Sequence, residues 1–164
     1  MLLADYISID NQDIVRYTGE FWTAKQRQAN PLHEISYRAC FKPQLPRFFI
    51  EHLTVSGERV YDPFSGRGTT ALEAALLGRI PVANDINPLS AMMAAPRLQP
   101  PTAEEVKQRL TEIDLSKPIK GEIDLSMFYH TDTFRELLNL RAYLITKANS
   151  NSLDTIDQWI RMVA

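Results

Sequence analysis

The spacing of hydrophobic positions predicts alternating strands and helices in the middle of the chain. Arg59 to Asp62 is a short strand that ends at Pro63, and Ile80 to Asn84 is a second one. Between them, TTALEAALLG is a run of good helix formers that Gly78 ends. A strand, turn, helix and strand within about 30 residues has the size of a βαβ unit, which implies parallel strands.

Hydrophobic positions recur at helical spacing in four other segments, which are 45–53, 102–113, 131–148 and 154–164. A capping box of Thr102 and Glu105 opens the second of them. The stretch 123–129 is predicted to be a third strand, against which the apolar side of the 131–148 helix packs. The chain stops inside the last helical pattern, so we expect the sequence to be part of a longer protein.

Composition indicates a folded domain with no bulk charge. The 164 residues are 45% hydrophobic and 23% charged, with a net charge of −2. These values exclude a disordered chain and a protein that coats nucleic acid by bulk charge, so a polyanion would have to meet a local basic face. The start does not resemble a signal peptide and no apolar run is long enough to span a membrane, so we expect a reduced, cytoplasmic compartment.

Cysteine and histidine usage gives no reason to expect a metal site. Cys40 is the single cysteine, and no Cys/His cluster has the spacing of a zinc site. Cys40 is predicted to be a small core or subsurface residue. His33, His52 and His130 are dispersed and are expected to be surface or packed residues.

The stretch with chemical content is Asp62-Pro63-Phe64-Ser65-Gly66-Arg67-Gly68-Thr69-Thr70, together with Asp85 after the second strand. Glycine lets the backbone approach a ligand closely, and the helix that begins near Thr69 directs free N–H groups at it. Asp62 lies at the carboxyl end of a parallel strand, where ligands bind in open sheets. An acid in the position of Asp85 accepts hydrogen bonds from ribose hydroxyls in dinucleotide sites.

These features predict a site for a nucleoside with a charged tail. Asp62 disfavours a pyrophosphate by like-charge repulsion, whereas a cationic amine or sulfonium suits it. S-adenosylmethionine carries both, with an adenine and a ribose. A P-loop is excluded because no Gly-Lys-Ser/Thr follows the turn. The alternative interpretation is an ordinary tight turn with an N-capping threonine.

DPFSGRGTTALEAALLGR, followed by NDINP, resembles the cofactor-binding region of the amino-methylating DNA methyltransferases, the N4-cytosine and N6-adenine group. The upstream segment ACFKPQLPRFFIEHLTVSGERVYDPF is similar to that family's Lys-Pro segment and helix, and the likeness covers residues 33–90. It implies a Rossmann-like α/β methyltransferase fold, with helices flanking a parallel sheet that is incomplete here. The implied domains are an N-terminal extension over 1–32 and an S-adenosylmethionine-binding domain over 33–164.

The resemblance also implies roles for individual residues. Asp62 would approach the methionine ammonium, and Asp85 would hold the ribose hydroxyls. Ile86 would pack on adenine, while Phe64 and the glycine turn would line the methionine and ribose. The candidate cofactor-binding residues are Lys42, Pro43, Asp62, Phe64, Ser65, Gly66, Gly68, Thr69, Asp85 and Ile86.

The family's Asp/Asn/Ser-Pro-Pro-Tyr/Phe tetrad, which grips the target amino group, is absent from these 164 residues. Asn87-Pro88-Leu89-Ser90 and Gln99-Pro100-Pro101-Thr102 are interpreted as turns. No catalytic residue is therefore assigned. The expected function is that of a fragment or split half of a site-specific DNA methyltransferase, as in restriction-modification, acting on the amino group of adenine or cytosine by direct transfer without a metal.

Two alternatives stay open. One is an RNA guanine-N2 methyltransferase, although the Lys-Pro segment and the double threonine favour the DNA group. The other is a non-catalytic cofactor-binding subunit or remnant that needs a separate catalytic chain. Expected partners are DNA, that separate chain, or a second copy bound through the apolar face of the last helix. A cluster of Trp22, Lys25, Arg27, Arg38 and Lys42 is a candidate DNA contact, but a solvated face is the favoured interpretation.

Overall fold

The computed structural model describes residues 3–20, 29–37 and 40–164. These form a mixed α/β structure with two small sheets, one antiparallel and one parallel. The chain divides into two compact units, Met1–Ala91 and Met92–Ala164, which are called unit 1 and unit 2 below.

Unit 1 begins with an antiparallel hairpin that the sequence pattern did not predict. Strand β1 (Leu3–Ile9) pairs with β2 (Gln12–Thr18). Asp10 and Asn11 between them have φ values of +49° and +61°, as a two-residue type I′ hairpin turn requires. Most hairpin side chains are exposed on both faces, so the alternation of apolar and polar residues that marks a half-buried strand is weak. The sequence feature that indicates this hairpin is the Asp10-Asn11 pair in its turn.

The βαβ unit in the middle of the chain is confirmed. Strand β3 (Arg59–Asp62) and strand β4 (Ile80–Ala83) are parallel, with Asp62 opposite Ala83. Helix α2 (Thr69–Leu76) connects them, and Gly78 follows its end with a φ of +73°. Helix α1 (Gln44–Leu53) packs against α2 through a core that includes Ile50, Ala71, Leu72 and Ala74.

Four more helices follow, and three of them agree with the predicted segments: α4 (Ala103–Glu112), α5 (Thr131–Asn149) and α6 (Thr155–Val163). The capping box of Thr102 and Glu105 is present. Helix α3 (Pro88–Leu98) crosses the boundary between the units and was not predicted. Asn87–Ser90 is therefore a helix start as well as a turn, because proline is well suited to the first helical position.

The predicted strand over 123–129 is wrong. The segment consists of turns, in which Asp124 Oδ1 accepts the N–H of Ser126 and the N–H of Phe128 donates to the carbonyl of Leu125. No strand occurs among the described residues of unit 2, so an alternating pattern here has no ladder to join. The apolar side of α5 accordingly lines a groove rather than packing on a sheet.

A buried carboxylate holds α4, α5 and α6 together in unit 2. Asp157 is 0% exposed and accepts hydrogen bonds from Arg109 and from the Tyr143 hydroxyl at 2.9 Å, with Lys147 Nζ at 3.5 Å. Arg109 also binds Asp154, the N-cap of α6, at 2.7 Å, and these hydrogen bonds lower the pKa of Asp154 to about 2. Burial and the bond to Asp157 raise the pKa of Tyr143.

The apolar face of α6 is mostly covered within unit 2. Ile160 is buried and Ile156 and Trp159 are half-buried, whereas Val163 is exposed. Among the described residues, no helix has the length and apolarity that a membrane crossing needs.

Candidate functional site

The carboxylates of two aspartates lie at the same edge of the parallel sheet. Asp62 is the last residue of β3, and Asp85 lies two residues after the end of β4. The register puts Asp62 opposite Ala83, and the N–H of Asn84 donates to the carbonyl of Asp62 at 2.9 Å. The carboxyl ends of both strands, and both acids, therefore lie at the same edge, where open α/β sheets bind ligands.

The turn between β3 and α2 is built from left-handed glycines. Gly66 has a φ of +50°, and Gly68, the N-cap of α2, has a φ of +84°. A Cβ atom on Gly66 would lie 3.4 Å from the Tyr37 ring, so this aromatic side chain closes one side of the turn. We call residues 65–68 the glycine loop.

No side chain of the described residues caps α2. The predicted alternative, in which a threonine is the N-cap, does not match this arrangement. Thr69 is the first residue of the helix, and its Oγ1 accepts a hydrogen bond from Arg67 Nε at 3.1 Å. The first amides of a helix lack intrahelical acceptors and carry the positive end of its dipole. The start of α2 thus offers donors at the edge where the carboxylates lie.

Asp85 fastens the glycine loop to the segment after β4. Its Oδ2 accepts the Gly66 N–H at 2.7 Å, and its Oδ1 accepts the Asn87 N–H at 2.9 Å. The bond from the Asn87 N–H, and to a smaller extent the bond from the Gly66 N–H, lowers the pKa of Asp85. Both bonds keep the carboxylate ionised. The resemblance implied only ribose contacts for this residue. Each carboxylate oxygen has a second lone pair, so both bonds are compatible with accepting a ligand hydroxyl.

Asp62 is held more loosely. Its Oδ1 accepts the N–H of Phe64 at 3.0 Å, and the other oxygen has no hydrogen bond to the described residues. The carboxylate is half-buried beside the turn. A negative charge with one free oxygen at this edge is suited to a cationic group of a ligand.

Ser65, the first residue of the glycine loop, fixes the loop to neighbouring segments by two hydrogen bonds. Its side chain is buried, and its Oγ lies 2.7 Å from Ser90 Oγ in α3. Its N–H donates to the carbonyl of Asn84 at 3.0 Å. Thr69 is buried as well, so both residues position the backbone rather than present a side chain at the surface.

Two apolar side chains flank the carboxylates and are uncovered. Phe64 is 86% exposed, and Ile86 is 100% exposed. Each follows closely on one of the strand-end acids. A ligand that covered these two side chains would remove their apolar surface from water, which is favourable.

Lys42 and Pro43 line a different space from the carboxylates. They border a cavity of about 450 Å³ together with His33, Cys40 and Arg67. Asp62, Asp85 and Ile86 are not among its lining residues. This cavity therefore joins the Lys-Pro segment to the glycine loop through Arg67, and the two acids do not line it.

The prediction for Cys40 was wrong: the residue is exposed, and its Sγ donates to the Tyr37 carbonyl at 3.2 Å.

Arg67 is a positioning residue that the sequence did not reveal. Its Nη1 donates to the carbonyls of His33 at 3.0 Å and Ile35 at 2.7 Å, which ties the glycine loop to the segment around the 3-10 turn Pro31–His33. His33 is itself buried, with Nε2 2.7 Å from Glu73 Oε1 in α2. These contacts join residues more than 30 positions apart, and no local pattern announces them.

The other candidate residues from the sequence do not add evidence for this site. Trp22, Lys25, Arg27 and Arg38, the candidate DNA contacts, lie outside the described residues. Thr102, the last residue of the Gln99-Pro100-Pro101-Thr102 segment, is the N-cap of α4. No group of three His, Cys, Asp or Glu side chains in the described ranges is placed to hold a metal ion.

Comparison with known proteins gives a family for this arrangement. Residues 6–94, more than half of the chain, match a family model described as DNA methylase. The Type II methyltransferase M.MvaI of Kocuria varians is 26% identical over 162 residues, which cover 97% of this chain and 32% of that protein. The Type II methyltransferase M.MjaII of Methanocaldococcus jannaschii is 30% identical over 77 residues, or 47% of this chain and 14% of that protein. No solved structure matches the chain.

Proposed function

The chain belongs to the DNA methylase family, and on that premise we propose that it is the S-adenosylmethionine-binding part of a site-specific DNA amino-methyltransferase. The fold we propose is the Rossmann-like methyltransferase fold, of which β3, α2 and β4 are the cofactor-binding core. The chain spans about a third of the length of M.MvaI and about a seventh of M.MjaII. Methyl transfer to an exocyclic amino group of adenine or cytosine is thus a proposal for the whole protein.

The observation that carries this proposal is the set of groups at the edge of the parallel sheet. Asp62 offers a carboxylate oxygen that has no hydrogen bond to the described residues, Asp85 offers an ionised carboxylate, and the start of α2 offers main-chain donors. Phe64 and Ile86 add exposed apolar surface beside them. A cationic amino acid tail, a ribose and an adenine need this combination of anionic, donor and apolar groups.

Each residue then has a proposed task. Asp62 binds the methionine ammonium, and Asp85 accepts the ribose hydroxyls with the lone pairs that Gly66 and Asn87 leave open. Ile86 packs on the adenine ring, and Phe64 covers the methionine end. Lys42 and Pro43 border the neighbouring cavity and would contact the ligand only at its margin.

S-adenosylmethionine, when bound, supplies a methyl group on a sulfonium sulfur, so no metal is needed to activate it. The residues of this chain bind and orient that donor; in-line attack requires the amino nitrogen to approach from the side opposite the sulfur. The tetrad that would hold a flipped base is absent from these 164 residues. We propose that residues outside them, in a longer chain or a second one, hold the base.

The test is the charge of Asp62. Asp62→Asn keeps an oxygen that accepts the Phe64 N–H but removes the negative charge, so the turn stays and the partner of the ammonium is lost. A hydrogen bond to a charged group contributes about 1.5–3 kcal/mol, so calorimetry should show affinity for S-adenosylmethionine falling about tenfold or more.

Asp124→Asn is the matched control. Asp124 accepts the N–H two residues ahead, as Asp62 does, but lies in unit 2. The Asp124→Asn variant should bind S-adenosylmethionine with the same affinity as the wild type. The proposal is wrong if the wild type does not bind S-adenosylmethionine, or if Asp62→Asn and Asp124→Asn bind it equally well.

A non-catalytic cofactor-binding chain is the second candidate, and the missing tetrad favours it. Labelled methyl transfer to unmethylated DNA by the isolated chain would exclude it. The family model, which is described as DNA methylase, supports DNA over RNA as the substrate. A restriction partner and a cytoplasmic location stay predictions.

A further inference from the structure

Unit 2 has an apolar groove that the proposed function does not use. It encloses about 420 Å³ along α5 and the end of α6. We call it the α5 groove; its main apolar lining residues are Leu125, Phe134, Leu137, Leu138, Leu144 and Ile145.

The charged residues that line the α5 groove are two arginines. Arg141 and Arg161 are both exposed, and neither forms an ion pair with the described residues. In the same unit, Arg109 and Arg135 are paired with carboxylates. An apolar surface with two unpaired guanidinium groups is complementary to an occupant that is apolar and acidic.

Such a surface exists on the chain itself, in residues 122–128. Ile123, Met127 and Phe128 are 70%, 83% and 71% exposed. Glu122 and Asp124 alternate with them, and the bond from Ser126 N–H lowers the pKa of Asp124, which keeps it anionic. The 122–128 segment is therefore both apolar and acidic, which makes it complementary to the α5 groove.

We propose that the α5 groove is an interface between two copies of this chain, and that its occupant is the 122–128 segment of the second copy. Groove and segment belong to the same unit, and Leu125 and Tyr129 link them. In a two-fold pair each copy donates its segment and receives the other's, so the contact forms twice and closes. Asp124 of one copy pairs with an arginine of the other.

The surface area that this contact would bury is large enough for a specific interface of moderate size. An aromatic side chain such as Phe128 buries on the order of 150–250 Å² when fully covered, and the smaller Ile123 and Met127 side chains bury less. These three side chains in each copy, each about three-quarters exposed, and the groove surface that they cover, remove roughly 1,000 Å² or more from water in the pair. That meets the lower limit for specific association, and the exposed ion pairs make it sensitive to salt.

The experiment is sedimentation of the full 164-residue chain at low and high salt. We expect a monomer–dimer equilibrium whose dissociation constant rises with salt. Phe128→Ser should weaken it at least tenfold. Asp124→Lys should weaken it similarly, as should Arg141→Glu, whereas the double variant Asp124→Lys/Arg141→Glu should return to within threefold of the wild type. These positions are exposed, so circular dichroism should show that the variants fold.

Leu53→Ser is the control, since Leu53 is a 75% exposed apolar residue of unit 1. It should leave the association unchanged. The proposal is overturned if the chain stays monomeric at about 0.3 mM, where even weak pairs form. It is also overturned if Leu53→Ser abolishes association that Phe128→Ser does not affect, or if the double charge variant stays as weak as the single ones.

Discussion

Asp157 offers the sharpest test of how unit 2 is held together. The side chain is 0% exposed and accepts hydrogen bonds from Arg109 and Tyr143, with Lys147 at 3.5 Å. Asp157→Ala removes the acceptor and leaves these donors in place. Removing one member of a buried ion pair costs about 3–5 kcal/mol, because the remaining charge has lost its partner inside the protein.

For Asp157→Ala, the structure favours a loss of stability at the low end of that range. Arg109 keeps Asp154 at 2.7 Å, and the side chain of Lys147 is one-third exposed and can be hydrated. The Tyr143 hydroxyl loses its acceptor, and so does the N–H of Asp154, which donates to Asp157 Oδ2 at 3.4 Å in the capping box of α6. We therefore expect Asp157→Ala to lower the free energy of unfolding by about 3 kcal/mol.

Glu112→Ala is the matched control, because Glu112 also pairs with Arg109, at 3.3 Å, but its side chain is 55% exposed. Exposed pairs contribute about 0–1 kcal/mol, so this variant should be nearly neutral. Urea denaturation followed by circular dichroism and by tryptophan fluorescence measures the free energy of unfolding of both variants. If the two variants lose the same free energy within about 0.5 kcal/mol, burial of Asp157 is not what stabilises unit 2.

Two further predictions concern pH and the thiol. The pKa of Asp154 is about 2 in the folded chain against an ordinary value of 3.8, so its pairing with Arg109 stabilises fully above about pH 4 and is lost as the pH falls towards 2. Asp154→Asn keeps an N-cap but has no such titration, so its acid denaturation curve should be shallower; equal curves would contradict the pairing. Cys40 is exposed, so a thiol reagent should modify it in the native chain as fast as in urea, and strong native protection would contradict its position.

The parts of the fold that could be predicted are those encoded by nearby residues. The helix formers before Gly78 predicted α2, and the capping box of Thr102 and Glu105 predicted the start of α4, because each signal acts within one or two helical turns. The order of β3, α2 and β4 then placed Asp62 and Asp85 at one edge.

The parts that failed depend on distant partners. A strand over 123–129 needs a neighbouring strand, and the described part of unit 2 offers none. The hairpin β1–β2 is exposed on both faces, so burial leaves little pattern in its sequence. The Arg67 contacts with His33 and Ile35 span more than 30 residues and have no local signature.

The same limit applies to the candidate site. The sequence predicts that Asp85 binds the ribose hydroxyls of a ligand, but it does not predict that both of its oxygens accept main-chain N–H groups. The resemblance implies that Ser65 and Thr69 are binding residues, yet both side chains are buried. Sequence spacing locates such residues at the edge of a sheet; the packing of the turn decides which of them face outward.

The most direct test of the central proposal is a solution NMR titration of the isotope-labelled chain with S-adenosylmethionine. The account predicts saturable shifts of the main-chain amides of Gly66, Gly68, Asp85 and Ile86, with one binding constant, and no specific shifts in α5. Amide spectra that do not change, or changes confined to the α5 groove, would contradict it.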